Sequence, residues 1–109
     1  MRDKLNAIRD KYLHLEEQLA DPAIVGDMDR WKKTNKAYKA LQPIMQVLEE
    51  YDKLNAQLRE ARSILATESD PELRDMAREE LELLQPQVDR IEAELKDLLT
   101  PRDPEDEKD

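Results

Sequence analysis

Residues 69–99 read SDPELRDMAREELELLQPQVDRIEAELKDLL, and the period of their apolar side chains decides the fold. Leu73, Ala77, Leu81, Leu84, Val88, Ile91, Leu95 and Leu98 recur at steps of three and four, the repeat of one face of a helix. A strand would alternate in twos and draw on β-branched and aromatic side chains. The spacing therefore predicts a helix running to about residue 99. Its start carries two overlapping signals. Ser69 with Glu72 forms a capping box, while Asp70 with Pro71 reads as an N-cap followed by an N1 proline. Pro86 falls on the side away from the stripe, which predicts a kink facing solvent rather than a break in packing.

The same repeat continues toward the N-terminus. Trp31, Thr34, Tyr38 and Leu41 form one stripe, continued by Ile44, Leu48, Tyr51, Leu54, Leu58, Ala61 and Leu65. Asp27 is placed to cap this second long helix, and Asp29 suits its first turn through the helix dipole. The pattern reaches about residue 67, which at 1.5 Å per residue is roughly 60 Å of helix. Pro43 lies inside it and should bend it, or split it in two. Leu5, Ile8, Tyr12, Leu15 and Leu19 mark a first helix over about 2–20. Between these two helices, DPAIVGD (residues 21–27) reads as a turn: Pro22 pushes Asp21 to an extended backbone, and Gly26 is available for an awkward backbone angle.

No single-stripe helix of this kind holds together alone, because helical stability in proteins comes mostly from packing the apolar face. Two short turns make sequential helices neighbours. The expected architecture is all-α: an elongated antiparallel three-helix coiled-coil bundle with a long middle helix, over residues 1–99, satisfied within one molecule and so monomeric. Composition agrees. Among 109 residues, 41% are charged, 4% are aromatic and only one is Gly, which leaves little for a broad core or for sheet turns. Cys is absent, so there is no disulfide framework and no thiolate metal site, as suits a reducing, cytoplasmic setting. No apolar run approaches the roughly 20 residues a membrane span requires.

The net charge of -9 is unevenly placed. Residues 27–67 hold eight basic and six acidic side chains, whereas residues 68–109 hold six basic and sixteen acidic. Bulk charge thus disfavours nucleic-acid binding, and any basic surface must be local. One such surface lies in DRWKKTNKAYKA (residues 29–40). On a helix, Lys32, Lys36 and Lys39 share a face, with Arg30 and Lys33 at its edges and the aromatic rings of Trp31 and Tyr38 turned into the seam. Such stripes are commonly just solvated faces. The sharper reading is a docking patch for an RNA backbone or an acidic partner, without base reading, since its aromatics are occupied.

Catalytic chemistry finds no foothold. His14 is the single His and has no ligand set or triad around it. Glu79, Glu80, Glu82, Glu92 and Glu94 are expected to face outward, without the burial that separates the pKa values of an acid–base pair. A single Gly allows no phosphate-cradling loop. No catalytic residue, cofactor, metal or small-molecule ligand is expected.

The chain closes with LLTPRDPEDEKD (residues 98–109). Pro101 and Pro104 stop the helix, and five acids among the last seven residues repel one another, so residues 100–109 are expected to be an extended acidic linker. Together with EQLADPAIVGD and ESDPELRDMAREELELL, this run resembles the N-terminal helical domain of the bacterial peptide chain release factor 1 family, in which a similar run leads into the catalytic core. The resemblance implies that the whole protein terminates translation at UAA and UAG by promoting peptidyl-tRNA hydrolysis. The family's codon-reading Pro-x-Thr tripeptide and Gly-Gly-Gln loop are both absent from these residues, so the role it implies here is ribosome docking. The implied partners are the stalk base of the large subunit, both ribosomal protein and rRNA, and the recycling GTPase. A structural coiled coil that homodimerises through a spare apolar seam is the main alternative, disfavoured by the two short turns. A tRNA-binding helical arm would need basic residues along both hairpin helices, and they occupy one short stretch only.

Overall fold

The computed structural model describes residues 1–100, and the part of the acidic linker beyond Thr100 lies outside the described residues. The chain is all-α: α1 (Arg2–Ala20), α2 (Pro22–Val25), α3 (Met28–Thr67) and α4 (Pro71–Leu99), with no strand among the described residues. It divides into two compact units, Met1–Gln46 and a second that begins at Val47.

In the first unit, α1 buries Leu5 and Leu15, and Tyr12 of α1 stacks on Tyr38 of α3. The expected turn at 21–27 holds a helix of its own. Asp21 is extended, as the residue before a proline must be, and its Oδ1 accepts from the Ala23 amide at 3.0 Å. Pro22 follows at the first helical position, and Ile24 is buried. The anticipated awkward angle at Gly26 does not occur: its φ of -76° and ψ of -8° are ordinary right-handed values. Close approach is what sets Gly26 apart, since its amide donates to Pro22 O at 2.9 Å and a Cβ there would sit 3.2 Å from the same oxygen.

In the second unit, the last turn of α3 and the first turn of α4 are tied together by Arg74, whose guanidinium donates to the Leu65 and Glu68 carbonyls. Those carbonyls lie at the C-terminal end of α3, where a cation is favoured and the helix itself offers no donor. Arg62 Nη2 donates to Gln85 Oε1 at 3.4 Å, so α4 returns along α3. Leu48, Leu54, Leu58 and Ala61 of α3 and Ala77, Leu84, Val88, Ile91 and Leu95 of α4 are the buried side chains of this unit. Burying each Leu, Ile or Val contributes about 1.5–3 kcal/mol. The α4 stripe is covered through its middle only; Leu73 and Leu98 at its ends are exposed.

The start of α4 resolves in favour of Asp70, whose Oδ1 accepts from the Glu72 amide at 3.1 Å, with Pro71 at the first position. Neither internal proline splits its helix: α3 is continuous through Pro43 and α4 through Pro86, and both rings are exposed.

Candidate functional site

The basic residues singled out by their spacing all lie in the first turns of α3. That start is fixed by Asp27, whose Oδ1 accepts from the Arg30 amide at 3.3 Å while its carbonyl accepts from the Trp31 amide at 2.9 Å. Arg30, Lys32, Lys33, Lys36 and Lys39 are all exposed. The unbroken helix puts Lys32, Lys36 and Lys39 on one face at i, i+4 and i+7. Among the described residues, none of these five side chains has an ion-pair partner. The positive end of the helix dipole lies in the first turn, beside Arg30 and Lys32, and Asp29 offsets part of it.

Behind this face, the aromatics are half-buried rather than fully enclosed. The Tyr12 and Tyr38 rings stack with centroids 4.6 Å apart and planes 15° from parallel. The Tyr12 hydroxyl donates to the Tyr38 hydroxyl at 2.9 Å, which in turn donates to Glu16 Oε1 at 3.1 Å. This relay pushes the Tyr38 phenol up to about 12, through the Tyr12 hydroxyl first, partial burial next and the Glu16 carboxylate after that. Each ring has one face stacked on the other and its hydroxyl engaged, which leaves the lysines to supply charge. The relay was not anticipated from the sequence; its only trace there is a polar-tipped aromatic on each of two stripes.

The acidic candidates behave almost as expected. Glu79, Glu80, Glu82 and Glu94 are exposed, but Glu92 is half-buried and lies 3.6 Å from Lys96 in an i,i+4 pair. His14 is exposed on α1. No group of three or more His, Asp or Glu among the described residues could hold a metal ion, and no helix among them is long and apolar enough to cross a membrane. The exposed lysines can attract anions.

The PCRF domain matches residues 8–109. The chain is similar to Peptide chain release factor 1 of Cytophaga hutchinsonii, 42% identical over 108 residues, and to that of Chlorobaculum tepidum, 41% identical over 108 residues. Peptide chain release factor 1 of Exiguobacterium sibiricum is 42% identical over 109 residues. Each alignment covers 99% of this chain and 30% of the relative, so the chain spans about a third of the length of the curated relatives it matches. No solved structure matches it.

Proposed function

The chain belongs to the PCRF domain family, and from that membership we propose that it is the N-terminal ribosome-docking domain of a peptide chain release factor 1. The whole protein terminates translation in the cytoplasm, at UAA and UAG codons, by promoting peptidyl-tRNA hydrolysis. The observation that carries this reading is identity near 40% across 99% of the chain to release factors of several bacteria. The hydrolytic and codon-reading parts lie elsewhere in the protein, because the single Gly of this chain rules out a Gly-Gly-Gln loop within it. This domain is not itself an enzyme.

Docking takes place at the stalk base of the large subunit, through ribosomal protein and rRNA, with the recycling GTPase as a further partner. The Arg30, Lys32, Lys33, Lys36 and Lys39 face is the surface offered to the phosphate backbone: it is exposed and unpaired among the described residues, with Arg30 and Lys32 beside a helix N-terminus. Charge complementarity of this sort acts mainly on association rate and weakens with salt. Lys32→Glu, Lys36→Glu and Lys39→Glu together, in the full-length factor, should slow its binding to termination complexes about tenfold or more at low salt, and flatten the salt dependence. Stopped-flow association measured across a salt series checks this; unchanged rates at low salt would remove the lysine face from the docking surface. The isolated chain is a monomer in this reading, which sedimentation tests directly.

A further inference from the structure

Within the second unit, Ile64 and Glu68 at the end of α3 and Leu73, Met76, Ala77 and Glu80 on α4 line an open groove of about 300 Å³. Its apolar wall is not closed off. Leu73 is 43% exposed and Met76 61% exposed, and Leu83, one heptad beyond Met76 on the same side of α4, is 69% exposed. α4 carries nine Asp and Glu side chains, yet three large apolar side chains lie exposed along it.

The groove is also preformed. Arg74 holds the turn through the Leu65 and Glu68 carbonyls, and the Glu68 amide donates to Ile64 O at 2.8 Å, so the α3 wall is fixed before anything binds. The Glu68 carboxylate accepts from the Asp70 amide at 3.3 Å, which pins one acidic rim, and Glu80 supplies the other.

We propose that this groove docks a cationic amphipathic segment of a partner protein: an apolar side chain seated against Leu73 and Met76, with Lys or Arg on either side of it meeting Glu68 and Glu80. The charge on the rim decides the class of partner. A phosphate backbone would be repelled by two carboxylates and by the acidic excess of α4, nine acidic against four basic side chains. The groove face of a second copy carries the same negative charge and is excluded as a mate for the same reason. The lysine face and this groove therefore serve partners of opposite sign, and the proposal stands on the second unit alone, whatever the lysine face binds.

The test uses the 109-residue chain, isotopically labelled, titrated at low ionic strength with a synthetic amphipathic helix of leucine and lysine. Methyl resonances of Ile64, Leu73, Met76 and Ala77 should shift together. Glu68→Gln combined with Glu80→Lys should weaken binding about tenfold or more, the Gln keeping the acceptor that the Asp70 amide uses. Met76→Ser, at an exposed position where the fold is not at stake, should weaken it several-fold by itself. A control peptide with its leucines replaced by serine, at equal charge, should lose the methyl shifts. Three results would overturn the proposal: shifts spread evenly along the acidic side of α4, equal shifts from the serine peptide, or concentration-dependent dimerisation of the free chain that the leucine–lysine peptide dissolves.

Discussion

Tyr38 shows how a single side chain is governed by its neighbours. In the native state its hydroxyl donates to Glu16 and meets the Tyr12 hydroxyl, so the phenolate would lose a donated bond and face a carboxylate at close range. The folded chain thus keeps this proton up to about 12, whereas the unfolded chain releases it near 10.0. A folded-state pKa above the unfolded value contributes stability that is complete below pH 10.0 and is lost as pH rises through about 12. The phenolate absorbance of the wild type minus that of Tyr38→Phe should accordingly show a component with its midpoint near 12. A midpoint at the ordinary tyrosine value would mean that the relay does not persist in solution. The sequence placed both tyrosines on helix stripes, but stacking depends on the register between α1 and α3. That register is set by the backbone of 21–27, where no periodic pattern exists to read. Gly26 carries the same lesson, since its close approach to Pro22 O became visible only once Asp21 and Pro22 had been found to start a helix.

At the scale of elements, Asp followed by Pro turns out to be the recurring start signal. Asp21–Pro22 opens α2 and Asp70–Pro71 opens α4, in each case with an extended Asp whose carboxylate accepts the amide two residues on. The proline is what decides between the two start signals at α4: it holds the preceding residue out of the helical region, so Asp70 becomes the cap and Ser69 falls outside. Asp70→Ala should therefore destabilise the chain by about 1 kcal/mol, and Ser69→Ala should stay within about 0.5 kcal/mol of the wild type. Urea unfolding of the two variants checks this, and the reverse order would restore the capping box as the working start. The three long helices were legible because their stripes are long; α2, at four residues, is shorter than any period that could reveal it. An interior proline costs a helix roughly 3 kcal/mol. Continuity through Pro43 and Pro86 is possible because both rings point to solvent while the stripes beyond them, Leu48 and Leu54 in α3 and Val88, Ile91 and Leu95 in α4, remain buried.

Across the whole molecule, the lysine face was legible because exposure and i, i+4, i+7 spacing are local properties of one helix. The Leu73 and Met76 groove was not, because the pattern assigns Leu73 to the core stripe, whereas the structure leaves it 43% exposed beside Ile64 and Glu68. The same unevenness governs stability. Among the described residues, the buried apolar side chains of the first unit are Leu5, Leu15 and Ile24. The second unit buries Leu48, Leu54, Leu58, Ala61, Ala77, Leu84, Val88, Ile91 and Leu95. Backbone ordering costs about 1–2 kcal/mol per residue in either unit, while each buried Leu, Ile or Val contributes about 1.5–3 kcal/mol. The first unit thus has far less burial to set against a comparable cost per residue, and it should open without the second. Native-state hydrogen exchange tests this directly: α1 amides should exchange through openings at least about 1.4 kcal/mol easier, or tenfold more populated, than those of α4 around Leu84 to Leu95. Equal protection in α1 and α4 would mean that the two units unfold as one. Low denaturant should then leave α4 protected after α1 is lost, because the side chains that hold α4, from Ala77 to Leu95, share their core with the stretch of α3 from Leu48 to Ala61 in the same unit.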